Sequence, residues 1–148
     1  MPITSTTTAA DRRAVPVRDF SLRLDHLVLT CADIGRTLDF YEQVLGFRRE
    51  VDAAGRVSLH LSGIKINLHQ KGKERSPHAR VPTPGSADLC FVSGDALAVR
   101  LAHLEGHGVK VIEGPVVRPG ACGPIESIYF RDPDGNLIEW GRPIKKER

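Results

Sequence analysis

Leu24-Asp25-His26-Leu27-Val28-Leu29-Thr30 is followed by Asp33 and then by Ile34, Leu38, Tyr41 and Leu45 at helical spacing, ending at Gly46. The first segment is short and aliphatic with polar borders, which is the pattern of a buried strand. Asp33 is placed to cap a helix and Gly46 to stop it. Strands are expected next at 47–52, 56–61 and 64–69, separated by the turn-like Ala53-Ala54-Gly55 and Ser62-Gly63. The order is strand, helix, strand, strand, strand.

The order then restarts. A shift of 62 residues lays His26 on Asp88, Asp33 on Asp95 and Gly46 on Gly108. Residues 87–92 read as a strand, and Asp95 as the cap of a helix carrying Leu97, Leu101 and Leu104. A strand is expected at 109–113, a Gly/Pro-rich connection at 114–124, and strands at 126–131 and 137–140. Pro77, Pro82 and Pro84 mark 70–85 as a mobile loop between the two copies. Two copies do not make a solenoid, so the account is a duplicated βαβββ unit. One domain is expected over 21–143, with modules at 22–70 and 86–142, a flexible Ser/Thr/Ala-rich leader at 1–20 and a basic tail at 144–148.

Composition sets the class. The 148 residues are 41% hydrophobic and 26% charged, enough for one ordinary domain with a real core. A net charge of +3 with no Lys/Arg stripe interleaved with aromatics argues against nucleic acid. No apolar run approaches the roughly 20 residues of a bilayer span, and the leader lacks the apolar core of a secretory signal. Cys31, Cys90 and Cys122 have neither the number nor the spacing of a disulfide frame or zinc ribbon, and read as free thiols in a reducing cytoplasm.

Strand parity puts polar side chains in the middle of aliphatic strands. In 64–69, Ile64, Ile66 and Leu68 share one face, and Lys65, Asn67 and His69 the other. His26, Asp88 and Glu139 hold comparable places in their own strands. A lone imidazole or carboxylate buried there is costly unless paired, and a divalent cation pairs with several at once. His26, His69 and Glu139 make a two-histidine, one-carboxylate set, with Asp88 as a fourth ligand or a base. The competing accounts are hydrogen-bonded core histidines and a Glu139 paired with Arg131 or Arg118. His103-Leu104-Glu105-Gly106-His107 lacks the zincin order and suits the dipole at a helix end. The glycines of 114–123 lack the spacing of a phosphate loop.

Three stretches carry a resemblance: Leu24-Asp25-His26-Leu27-Val28-Leu29; Phe40-Tyr41-x-x-Val44-Leu45-Gly46-Phe47; and Tyr129-Phe130-Arg131-Asp132-Pro133-Asp134-Gly135-Asn136-Leu137-Ile138-Glu139. Together they resemble the vicinal oxygen chelate superfamily, which includes glyoxalase I, fosfomycin and bleomycin resistance proteins and extradiol dioxygenases. Ile66-Asn67-Leu68-His69 with Ala87-Asp88-Leu89-Cys90 is similar to the subgroup named glyoxalase-domain-containing protein five. The resemblance implies an α+β fold of two βαβββ modules forming a half-barrel cup, with a divalent metal ion (Zn, Ni, Mn or Fe) near its floor. Ligands in metal-dependent members come from the first, fourth, fifth and eighth strands. The resemblance carries His26 and Glu139 onto the first and eighth. The fifth-strand position, often His, is Asp88; the usual fourth-strand position is Asn67, with His69 two residues on along the same face.

What this implies is a glyoxalase-like metalloprotein, a lyase or isomerase, that binds vicinal oxygens of a small metabolite. Metal ligands His26, His69 and Glu139 are expected, with Asp88 and Glu139 catalytic. The alternatives are a metal-independent ligand-binding protein of the bleomycin-resistance kind and an extradiol-type dioxygenase. Lys71, Lys73, Arg75 and Arg80 suggest a loop that favours an anionic substrate. Open half-barrels expose sheet edges, so a homodimer is expected.

Overall fold

A computed structural model describes residues 18–145, so the leader expected over 1–20 and the tail over 144–148 lie outside it except for 18–20 and 144–145. The chain runs β1 (His26–Cys31), α1 (Ile34–Leu45), β2 (Arg48–Val51), β3 (Val57–Leu61), β4 (Ile64–Gln70), β5 (Asp88–Val92), α2 (Leu97–Gly106), β6 (Glu113–Gly120), β7 (Gly123–Arg131) and β8 (Leu137–Pro143). Two four-stranded sheets result, ordered β1-β4-β3-β2 and β5-β8-β7-β6. In each, the first strand of the module, β1 or β5, is parallel to its neighbour and the other pairings are antiparallel. These are two βαβββ modules of one design, each an open half-barrel in an α+β fold.

Local chemistry explains α1. The Asp33 carboxylate accepts from the Arg36 amide at 3.1 Å, and Gly46 takes the left-handed conformation at φ 73° that closes the helix. The second module differs. Asp95 does not cap α2: the cap position is Ala96, without a side-chain bond, and the Asp95 amide instead donates to Ser93 Oγ. The Ser93 hydroxyl also accepts from the Trp140 indole at 2.8 Å, which ties this turn to β8.

The second strand of that module is also displaced from expectation. It occupies Glu113–Gly120, most of which reads in the sequence as a Gly/Pro connection, while nearly all of 109–113 precedes it. β6 is an edge strand with a register shift between Glu113 and Val116, a place where proline is tolerated because no neighbour needs its missing N–H. Gly114 lies against β7, where a Cβ would come within 2.5 Å of the Ser127 carbonyl oxygen.

A single apolar core joins the modules. It takes Leu29, Leu59, Ile66 and Leu68 from the first sheet, Ile128, Phe130 and Ile138 from the second, and Leu38, Tyr41 and Val44 from α1. Phe40 packs on Phe130 and Phe47 on Phe91, with ring centres 6.3 and 5.6 Å apart. Both sheets therefore turn one face toward this core, and their alternate residues point away from it.

The turn between β7 and β8 fastens this arrangement. Asp132 is 5% exposed, and its Oδ2 accepts from the Tyr41 hydroxyl at 3.0 Å and from Asn136 Nδ2 at 2.7 Å. Its Oδ1 accepts from the amides of Asp134 and Asn136, both at 2.9 Å. Asn136 in turn accepts from the Ala87 amide ahead of β5, and Asp134 from the Ala32 amide after β1. Burial and the Asp132 carboxylate hold the Tyr41 phenol above its ordinary range.

Tyr41→Phe is expected to lower stability by about 1–2 kcal/mol in urea unfolding, and Asp132→Ala by about 3 kcal/mol, since it strands several buried donors. The wild-type margin over Tyr41→Phe is full below about pH 10 and shrinks as pH rises above it. The unfolded chain then ionises Tyr41 while the folded chain keeps its proton.

Candidate functional site

The faces turned away from the core carry the polar residues, arranged in cross-strand rows. On the first sheet, His26, Lys65, His60 and Arg48 lie opposite one another in one row, and Val28, Asn67, Ser58 and Glu50 in the next. On the second, Asp88 lies opposite Leu137, and Cys90, Glu139, Tyr129 and Glu113 form the next row. The pseudo-symmetry is therefore explicit. His26 corresponds to Asp88, and the residue corresponding to Glu139 is Asn67.

His69 stands one row farther, opposite Thr30. It is four residues along the strand axis from the row of His26, roughly 13 Å at the usual strand rise. The register sets His26 and His69 two rows apart on the same face. Sequence parity is right about their shared face and silent about their separation along it.

His26 is not a core histidine. Its side chain is 48% exposed, and its Nδ1 is held by the Asp25 carboxylate at 2.9 Å. That bond, the first cause, draws the Asp25 carboxyl below its usual range. A carboxylate on one ring nitrogen orients the other toward a ligand, the usual support of a metal-binding imidazole. Glu139 is placed in a similar way. Its Oε1 accepts from the Ser127 hydroxyl at 2.5 Å, and among the described residues no lysine or arginine pairs with it. Arg131 bonds the Gly135 carbonyl instead, and Arg118 bonds Tyr129 and Glu113.

Glu139 looks into a hollow of about 760 Å³ lined by Cys90, Val92, Ile125 and Ile144, with Cys122 at its hairpin end. This is the size of a small-molecule site, with few polar groups to orient a ligand. Burial and the neighbouring Glu139 push the Cys90 thiol up to about 11. Cys90, Ser127 and Asp25 are the contributors that sequence reading did not single out as supports. Parity places Ser127 on the Glu139 face, and Asp25 adjoins His26 in the chain, so both signals were available.

Among the described residues no three His, Cys, Asp or Glu side chains gather at one point that could hold a metal ion. His26 is on one sheet, and Asp88 and Glu139 are on the other. His103 and His107 bond the Val44 and His103 carbonyls, in keeping with a structural role at the end of α2. The 70–85 loop lies at the far end of β4 from Lys65, with Arg75 bonded to the Ala54 carbonyl.

Residues 23–140 match the family described as Glyoxalase/Bleomycin resistance protein/Dioxygenase superfamily. The chain belongs to this superfamily. It is 57% identical over 123 residues to the glyoxalase domain-containing protein RDO1 of Mycosarcoma maydis, covering 82% of this chain and 69% of that one. The crystal structure of virulence protein STM3117 from Salmonella typhimurium is similar at 47% identity and a TM-score of 0.81, covering 87% of this chain and all of that one. An integron cassette protein from the mobile metagenome of V. cholerae is similar at 52% identity and a TM-score of 0.80, covering 83% and 96% of the two chains. As in the superfamily, the duplicated module is the scaffold. No helix of the described residues is long and apolar enough to cross a membrane.

Cys90 and Cys122 are both exposed, so it is the raised Cys90 thiol that is expected to slow its modification by iodoacetamide relative to Cys122 at neutral pH. Cys90 reactivity should rise toward about pH 11 and move to lower pH in Glu139→Gln, which removes a neighbouring negative charge. Peptide-resolved mass spectrometry reads both sites.

Proposed function

We propose that this protein is a cytoplasmic glyoxalase-type metalloenzyme, a lyase or isomerase, whose centre is assembled between two copies of the chain. The observation that carries the reading is the preparation of His26 and Glu139. Each is oriented by a neighbour, His26 by Asp25 and Glu139 by Ser127, and the two stand on different sheets of the chain. β1 and β5 are both sheet edges, and Val28 and Val92 beside them are 46% and 59% exposed. Such edges invite pairing. A second copy that sets its β5 beside β1 brings His26 toward the Asp88 and Glu139 of the other protomer.

Imidazole nitrogen and carboxylate oxygen suit Zn, Mn, Fe or Ni. When bound, the ion supplies Lewis acidity to adjacent oxygens of a substrate. His26 and Glu139 are its proposed holders, with Asn67 beside them and His69 at the rim. Asp88, whose carboxylate has no hydrogen-bond partner among the described residues, moves the proton. Asp25 and Ser127 keep the two ligands aimed, and the apolar hollow excludes water from the reacting carbon. A metal-independent ligand-binding protein is the second reading, favoured by the amide at Asn67 and the mostly apolar hollow.

Metal analysis after dialysis without chelator tests the first reading. About one divalent ion per chain is expected in wild type and little in His26→Ala or Glu139→Gln, with sedimentation at twice the 16.2 kDa chain mass. Mixing the two variants should restore about a quarter of the sites, because heterodimers contain one intact centre. Full metal in both variants, or a monomer, would remove the reading.

A further inference from the structure

The row that ends at His26 carries a second feature. Arg48, His60 and Lys65 are direct cross-strand neighbours on β2, β3 and β4, and Lys65 is opposite His26 on β1. Basic side chains placed opposite one another repel, so a sheet built for stability alone would avoid this row. Part of it is offset locally. Glu50 pairs with Arg48 at 3.2 Å and lies 3.7 Å from His60, while Asp25 is committed to His26 and more loosely to Arg23. Ser58 fixes His60 at 2.9 Å.

Lys65 is the remainder. It is half-buried and enters no ion pair among the described residues, although the Asp25 carboxylate is close enough to feel its charge. A hollow of about 480 Å³ opens over this row, lined by Arg48, His60, Lys65, Asp25 and the Ser62-Gly63 turn. Ser62 and Gly63 both adopt positive φ, 43° and 80°, the two-residue hairpin geometry that fixes strand register and so keeps the row aligned.

We infer that the Arg48–His60–Lys65 row is an oxyanion subsite, which binds a carboxylate or phosphate-type group of the substrate. Lys65 lies directly across from His26 on the adjacent strand, so the anion sits within roughly 5–10 Å of the His26 side chain. The substrate class follows: a compact molecule with vicinal oxygens at one end and an oxyanion at the other. This deepens the metalloenzyme reading and rests on it for the part played by His26. Anion binding itself needs no metal. The cations of the 70–85 loop do not share this role, because they sit beyond the opposite end of β4.

Inorganic phosphate, titrated into the metal-free protein at low salt and followed by amide nuclear magnetic resonance, is the test. Shifts are expected at Lys65, His60 and the 62–64 turn. Lys65→Gln should weaken binding about tenfold, as loss of a charge-assisted hydrogen bond implies, and Arg48→Gln several-fold. Arg75→Gln should bind as wild type. Unchanged affinity in Lys65→Gln, or shifts scattered over all surface cations, overturns the subsite. Lys65-dependent phosphate binding in a protein that takes up no metal supports the subsite and removes the metal reading instead. Metal uptake without phosphate binding does the reverse.

Discussion

The Asp132 carboxylate is the constraint on which the rest of the molecule depends. A buried charge is tolerated only where donors replace the lost water, and Tyr41, Asn136 and two turn amides do so here. Because Tyr41 belongs to the first module and the turn to the second, satisfying the charge also fixes how the modules meet. Gly85 completes the closure: a Cβ there would lie 2.4 Å from the Asp134 carbonyl oxygen, so the linker reaches β5 only by passing tight against the turn. The modules are thereby held with their helices and apolar faces together. Their polar faces have nowhere to go but outward.

That outward placement separates stability from chemistry. The core faces obey the same apolar rule in both copies, with Ile66 and Leu68 in one matched by Ile138 in the other. The outer faces have diverged at equivalent positions. His26 answers to Asp88 and Asn67 to Glu139, so each sheet holds a different fraction of a donor set. One sheet brings imidazoles, an amide and a row of cations; the other brings carboxylates over an apolar hollow. Opposite character on two equivalent surfaces is what complementary pairing of two identical chains requires.

The βαβββ order, the α1 caps and the shared face of Asn67 and His69 were legible in the sequence because each depends on local pattern: apolar period, a capping carboxylate, alternation. β6 was not legible, since proline and glycine count as breakers until one knows that the strand is an edge with a bulge. Asp95 misled for a related reason. A capping residue type at the right offset says nothing about whether the Ser93 hydroxyl has already claimed the turn. The spacing of His26 and His69 along their shared face lies at another level again. Parity follows from one strand alone, but the row depends on where β4 starts relative to β1, a pairing of two strands far apart in the chain that neither reveals by itself.

The Asp132-Pro133-Asp134-Gly135-Asn136 turn shows why a motif can identify a fold sharply and a reaction poorly. Every hydrogen-bonding side chain in it is engaged in the scaffold: Asp132 with Tyr41 and Asp134 with Ala32 join the two modules, and Asn136 ties the turn to Ala87 ahead of β5. None faces either hollow. The turn's chemistry is therefore common to any chain that must dock two such modules, whatever is bound outside them. Glu139, three residues past Asn136, is the first residue after the turn with its side chain on an outer face beside a hollow, and the difference between clasp and site is crossed there. Asp88, Asn67, Lys65 and Cys90 lie in strands whose fold requirement is an apolar residue on alternate positions. Their side chains point away from the core, so the scaffold's signature carries little information about them.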